Sequence, residues 1–278
     1  MSTQDQMKNA IQGLVRGMMD RVMTRVLKED PWIVEHHHAN RPLYAALVPD
    51  EIFKNAHFER RFVTPFGKVW EKLAKTAADN GFGRGFMDYS LTGNVRVGRL
   101  HRIQEILNAL EHHGDKRTSR QRPDWDSELK YVLEGTGEFL PVTVTSDVYI
   151  ENHSRTTRYA FEVKAPLPNS DQTKVSKEKM LKLYSMEPRL VDDAFFALPY
   201  NPYGTRDKYA WGFPKRWFDM KRDRVVLIGD EFWETIGGVG TYQAFITAIN
   251  EIGEKYRTRI YREYLGIEPP IDSLAVKL

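Results

Sequence analysis

Apolar residues recur at helical spacing from Gln4 to Leu27, where Met7, Ile11, Leu14, Met18, Val22 and Val26 form one stripe. The stripe predicts an amphipathic helix whose Met-rich face packs into a core or a dimer contact. Pro31 to Pro49 has no such period and reads as irregular. The helical pattern resumes from Phe53 to Asn80, with Phe66, Val69, Trp70, Leu73 and Ala77 on one face and an interruption expected near Pro65. Gly81-Phe-Gly-Arg-Gly85 follows that helix and leads into no strand-to-helix turn, so it reads as a C-cap and loop and not as a phosphate loop. Val97 to His112 is a further helix with Ile103, Ile106, Leu107 and Leu110 turned inward.

The period then changes from 3.6 to two. Val142 to Ile150 and Thr157 to Ala165 are rich in β-branched and aromatic residues, and Asn152-His153-Ser154-Arg155 between them is a polar turn. A turn centred between Ser154 and Arg155 makes a hairpin in which Val148 faces Phe161, Ile150 faces Tyr159, and Val144 and Ser146 oppose Ala165 and Val163. That face is mostly apolar and belongs to a core. On the other face the same register sets Asp147 opposite Glu162 and Thr145 opposite Lys164.

Pro166 and Pro168 end the second strand, and Asn169 or Ser170 can cap a helix over Asp171 to Ser185 that turns Val175, Leu181 and Tyr184 inward and leaves its lysines exposed. Ala194 to Leu198 and Val225 to Ile228 read as buried strands, and Thr241 to Leu265 as a long terminal helix. The fold class is therefore α/β, a mixed central sheet flanked by helices, with additional helices at the N- and C-termini. One large domain is expected, with a helical arm over 1–50, a core over 51–240 and a helix and tail over 241–278.

Composition narrows the chemistry. The 278 residues contain no cysteine, which excludes disulfides and thiolate metal sites and leaves oxygen- or imidazole-bound ions. A reducing prokaryotic cytoplasm is the expected home. No apolar run reaches about 18 residues, so no membrane partner is expected. The formal charge of +3 is only mildly basic, but the basic residues cluster. Lys116, Arg117, Arg120 and Arg122 form one group, and Lys174, Lys177, Lys179 and Lys182 another. Arg206 to Arg224 mixes seven basic residues with Tyr209, Trp211 and Trp217. Such clusters suit DNA phosphates; each alone also suits a solvated surface.

Asp147 and Glu162 on one strand face could hold a hard divalent cation, Mg²⁺ with Mn²⁺ as a substitute, and the Val163 carbonyl could be a further ligand. Lys164, two residues on, projects from the same face. An oxygen-bound cation and an adjacent ammonium are what phosphodiester hydrolysis needs. The plainer alternative is a solvated strand pair, and spacing alone does not separate the two. Two other acidic residues follow proline, Asp50 and Asp124, but neither sits in a strand pattern, and both read as turn or N-cap residues. His36, His37 and His38 are adjacent and so point in different directions, which disfavours a shared metal.

The order acidic strand residue, hairpin, Glu162-Val163-Lys164, then helix resembles the PD-(D/E)xK nuclease core, with Ser146-Asp147 where Pro-Asp is usual. The stretch from Phe161 to Leu183, with Pro199-Tyr-Asn-Pro-Tyr-Gly204 and Gly229-Asp-Glu-Phe-Trp-Glu234, resembles type II restriction endonucleases of the TdeIII and MjaII group over about Phe53 to Gly266. The resemblance implies a Mg²⁺-dependent homodimer that cuts double-stranded DNA at a short palindrome, GGNCC or a relative, alongside a cognate DNA methyltransferase. It also implies a metal-site role for Glu71, since Phe66-Gly-Lys-Val-Trp-Glu71 is similar to the helix that several such families place before the hairpin. The plainer role for Glu71 is an ion pair with Lys75.

Asn169, Gln172, Lys174 and Lys177 beside the motif, and Asn201, Arg206, Lys208 and Arg216 in the Tyr200 to Arg224 segment, have the donor chemistry for DNA contacts. Two other functions remain compatible with the same residues: a repair or junction-resolving nuclease of this fold, and a DNA-binding module whose acidic pair is structural.

Overall fold

The computed structural model describes residues 3–112 and 121–270 of the chain. The basic residues Lys116, Arg117 and Arg120 lie outside the described residues. In chain order the elements are α1 (Thr3–Thr24), extended by a π-helical turn Arg25–Glu29, then α2 (Val34–Asn40), α3 (Pro42–Ala45) and α4 (Asp50–Asn80). β1 (Gly83–Arg96), α5 (Val97–Glu111), α6 (Trp125–Leu133), β2 (Phe139–Asn152), β3 (Thr157–Val163), α7 (Ser170–Ser185), β4 (Met186–Glu187), β5 (Asp193–Leu198), β6 (Val226–Ile228), α8 (Asp230–Gly237) and α9 (Thr241–Arg259) follow. No helix among the described residues is long and apolar enough to cross a membrane.

The chain divides into two compact units. One comprises the chain up to Leu73 and from Gln243 onward. In it Met7, Ile11, Met18, Val22 and Val26 are buried as the stripe requires, with Val15 buried where Leu14 was expected. Tyr256 donates its hydroxyl to Asp20, and Val22, Val26 and Tyr264 pack with Phe58 and Phe62. The expected irregular stretch before Pro49 contains the short helices α2 and α3, and α4 runs unbroken through Pro65. His37 is buried against Trp32 and Phe53, whereas His38 faces Asp50 at 2.9 Å.

The second unit, Ala74–Tyr242, holds the six-stranded mixed sheet in the order β4-β1-β2-β3-β5-β6. β1, β2 and β3 are antiparallel neighbours, while β3, β5 and β6 run parallel, as the connection through α7 requires. The hairpin register is the expected one: Val148 pairs with Phe161 and Ile150 with Tyr159. Asn152 closes the turn by accepting the Arg155 N–H at 3.0 Å.

β1 corrects the reading of Gly81 to Gly85 as a loop. Gly83 and Gly85 are strand residues whose missing side chains let neighbouring backbone approach. A Cβ at Gly83 would fall 1.8 Å from the Glu151 carbonyl oxygen, and one at Gly85 would fall 2.9 Å from the Lys75 Cα. The core of this unit gathers Ile103, Ile106, Leu107 and Leu110 of α5, Trp125 and Val132 of α6, Met180, Leu181 and Tyr184 of α7, and Phe196 and Leu198 of β5.

Candidate active site

Asp147 and Glu162 lie one step beyond the last hydrogen-bonded pair of the hairpin, Val148 with Phe161. Their expected direct cross-strand pairing, and that of Thr145 with Lys164, is therefore corrected. β3 leaves β2 at this point and continues along β5, where Glu162 is level with Phe196, Val163 is level with Ala197, and the Lys164 N–H donates to the Ala197 carbonyl at 3.0 Å. Backbone groups along a strand point alternately to its two sides. The Val163 N–H consequently faces the gap opened by the departure of β2, and the Asp147 carboxylate fills it, accepting that N–H at 2.9 Å.

The side chains converge there. Lys164 Nζ lies 2.5 Å from Asp147 Oδ2 and 3.3 Å from Glu162 Oε2, so one ammonium bridges both carboxylates. Glu162 is buried because α7 lies over it. Ser176 donates to Glu162 Oε2 at 3.3 Å, and Lys179 contacts Oε1 at 2.9 Å and Oε2 at 3.1 Å while standing 4.0 Å from Asp147. Burial raises the Glu162 carboxyl above the ordinary glutamate range against the opposing pull of Lys164. Burial alone would lower Lys164, but the Glu162 and Asp147 charges outweigh it and hold the ammonium above its ordinary range. The site is a partly buried cluster of two carboxylates and two ammoniums.

Lys179 was expected on an exposed helix face. The signal for its true place was helical: Gln172, Ser176 and Lys179 follow an i, i+4, i+7 spacing, which puts them on one side of α7. That side meets the sheet at Glu162. Asn169 caps α7 as expected, accepting the Gln172 N–H at 2.8 Å.

Several expected roles change. Lys177 is wholly buried, its ammonium shared between the buried Glu128 carboxylate and the Trp217 carbonyl, so it is unavailable to a phosphate. Burial lowers the Lys177 ammonium and raises the Glu128 carboxyl. Arg206 is committed internally to Glu231 and to the carbonyls of Met220 and Asp223. Most aromatic residues of the Tyr200 to Arg224 segment pack inward, with Phe213 the exposed exception. Tyr209 and Trp217 are buried, and with Trp211 they tie this segment to the loop before α7 and to its first residue, through Tyr209 to Pro166, Trp211 to Pro168 and Trp217 to Ser170.

Asn201 spends its side-chain oxygen on the Tyr203 N–H, and Lys174 pairs with Glu111. Lys208 is exposed, and Arg216 lines a surface cleft with Gln121, Arg122 and Lys215. Glu71 lies on α4 outside the sheet-bearing unit, buried and paired with Lys68 at 2.9 Å; Lys75 pairs with Asp79 instead. Asp124 is the N-cap of α6, accepting the Ser127 N–H at 3.1 Å, as its position suggested. Asp50 begins α4.

Oxygen donors from two carboxylates suit a hard divalent cation, and the ammoniums now beside them show that the pocket attracts positive charge. Among the described residues no cluster of three or more acidic, histidine or cysteine side chains offers a complete protein cage. A cation here would need water, backbone or substrate oxygens as further ligands, which is usual for Mg²⁺.

The chain is similar to known proteins along most of its length. Three type II restriction enzymes of Herpetosiphon aurantiacus are similar to the chain: HgiCII is 26% identical over 81% of this chain and 82% of its own length, and HgiEI and HgiBI are each 26% identical over 77% of both. The family model described as type II restriction endonuclease, HinfI, matches residues 7–253, whereas the motif stretch had resembled the TdeIII and MjaII group. The chain belongs to the HinfI family of type II restriction endonucleases and is a site-specific endonuclease.

Proposed function

We propose that the chain cuts both strands of a short palindromic DNA site at the pocket of Asp147, Glu162 and Lys164, in a PD-(D/E)xK arrangement that uses Mg²⁺ or Mn²⁺. The observation that carries this reading is the single ammonium of Lys164 bridging Asp147 and Glu162 where β2 and β3 part. A structural salt bridge would not require the strands to separate at an acidic pair.

The residues fit distinct tasks. Asp147 and Glu162 would hold the cation, and the Val163 carbonyl, which strand alternation turns to the same side as its N–H, would add a third protein oxygen. When bound, the cation supplies charge neutralisation at the phosphate and a more acidic water. Lys164, held by both carboxylates, would orient the attacking water or stabilise charge on the phosphate by hydrogen bonding. The Val163 N–H fixes the Asp147 carboxylate in place. Glu71 is a candidate neighbour of the cation, resting on the resemblance of its helix segment.

Asn169 and Gln172 at the exposed start of α7, with Lys174, Asn201, Lys208 and Arg216, remain the candidate DNA contacts. The recognition sequence proposed is GGNCC or a close relative, following the resemblance to the TdeIII and MjaII group. A homodimer reads such a site symmetrically, and a cognate methyltransferase would protect the host copy. Incubation with plasmid DNA and Mg²⁺, with and without chelator, tests the function. Discrete chelator-sensitive fragments are expected; absence of cleavage would favour a binding module, and structure-selective cutting a repair nuclease.

A further inference from the structure

Lys179 enters the pocket from a different element than Lys164 and is held differently. Lys164 directly follows β3 and touches both carboxylates. Lys179 reaches down from α7, contacts both oxygens of Glu162 and stands 4.0 Å from Asp147. Its side chain is also the more exposed, 28% against 18%. Two carboxylates and two ammoniums make the pocket neutral as it stands. A divalent cation placed among them with both ammoniums retained would leave two uncompensated positive charges in a poorly solvated site, where like charges repel strongly. One ammonium must give way, and Lys179 stands farther from Asp147, 4.0 Å against 2.5 Å, and has more solvent access for its flexible stem to swing into.

We propose that Lys179 is an exchangeable counter-ion of the acidic pair: it occupies Glu162 in the free enzyme, yields it to the divalent cation, and turns to a phosphate of bound DNA. This rests on the reading of Asp147 and Glu162 as cation ligands. Lys179 then competes with the cation until a phosphate draws the ammonium away, so DNA and cation each favour the binding of the other. By linkage that coupling is reciprocal. Free enzyme would bind the cation weakly, and only the DNA complex would be fully loaded.

The test is Mn²⁺ titration of the full-length protein without DNA, with free Mn²⁺ followed by electron paramagnetic resonance. Lys179→Gln and Lys179→Met should bind Mn²⁺ about tenfold more tightly than wild type, the scale of losing one competing charge. Lys179→Arg should stay near wild type in Mn²⁺ affinity. Single-turnover cleavage at saturating Mg²⁺ should fall in the Gln and Met variants, separating tighter cation binding from activity. Lys179→Gln keeps a donor to Glu162, so a wild-type melting temperature in that variant shows that the readout concerns charge and not folding.

Unchanged or weaker Mn²⁺ binding in both neutral variants would overturn the proposal. Asp147→Ala and Glu162→Ala, titrated alongside, separate the two levels. If they lose Mn²⁺ binding while the Lys179 variants fail to tighten it, only the role of Lys179 falls. If they bind Mn²⁺ like wild type, the carboxylate site falls and this proposal with it.

Discussion

The backbone N–H of Val163 donates to the Asp147 carboxylate at 2.9 Å, filling the place that a ladder bond to β2 would take if the hairpin continued. One hydrogen bond thus satisfies a buried donor, fixes the orientation of an acidic side chain and marks the fork in the sheet. The fork gives the site its depth. With β3 committed to β5, α7 can lay Ser176 and Lys179 against Glu162.

Lys164→Ala should lower single-turnover cleavage by at least about 10²-fold, the usual scale for one preorganised electrostatic group, without a matching loss of DNA affinity. Lys164→Arg should fail to restore it, because a planar guanidinium differs in reach and acidity. Rapid-quench rates beside filter-binding affinities provide the comparison, and a near-normal rate in either variant would remove Lys164 from the chemistry.

The buried pair of Lys177 and Glu128 should behave as structure. Lys177→Met leaves the Glu128 carboxylate buried without its partner and should cost about 3–5 kcal/mol of unfolding free energy. The double variant Glu128→Gln with Lys177→Met should recover most of that loss. Urea unfolding of the four proteins reads the cycle; a stable Lys177→Met with weakened DNA binding would return Lys177 to the DNA surface.

Much of this was legible in the sequence. The period-two segments fixed the hairpin and its register, because one face had to be apolar at every second residue. Asn169, Pro166 and Pro168 marked the start of α7 through local chemistry alone. β1 was not legible: Gly83, Gly85, Asp88, Gly93 and Asn94 are poor strand formers, and only the close approach of backbone at Gly83 and Gly85, and of the Met186 side chain at Gly93, explains why glycines belong there. The fork was hidden too, since it depends on β5 arriving parallel on the far side of β3. Lys177 carried no sign of burial, because its partner Glu128 lies on α6, a short helix inside a polar run.

Glu71→Ala tests whether Glu71 joins the proposed cation site. If Glu71 joins the cation, its loss should raise the Mg²⁺ concentration for half-maximal cleavage several-fold while leaving metal-free DNA binding unchanged. An unaltered Mg²⁺ dependence would remove Glu71 from the cation site.

The proposed recognition sequence has a symmetry consequence. In GGNCC a two-fold axis passes through the central pair, so each subunit reads two G·C pairs through their O6 and N7 acceptors. Changing one of those pairs should cost about 1–3 kcal/mol in binding, and changing the central base little. Sequencing the ends of digested DNA gives the consensus directly; a non-palindromic consensus would overturn the dimer.

The proposed role of Asp147 and Glu162 as the catalytic carboxylates is decided by single-turnover cleavage of cognate DNA in Mg²⁺ by Asp147→Ala. The expected rate is at least about 10²-fold below wild type, with folding and DNA binding retained, because one ligand of the charge-stabilising cation is gone. A wild-type rate in Asp147→Ala would contradict it.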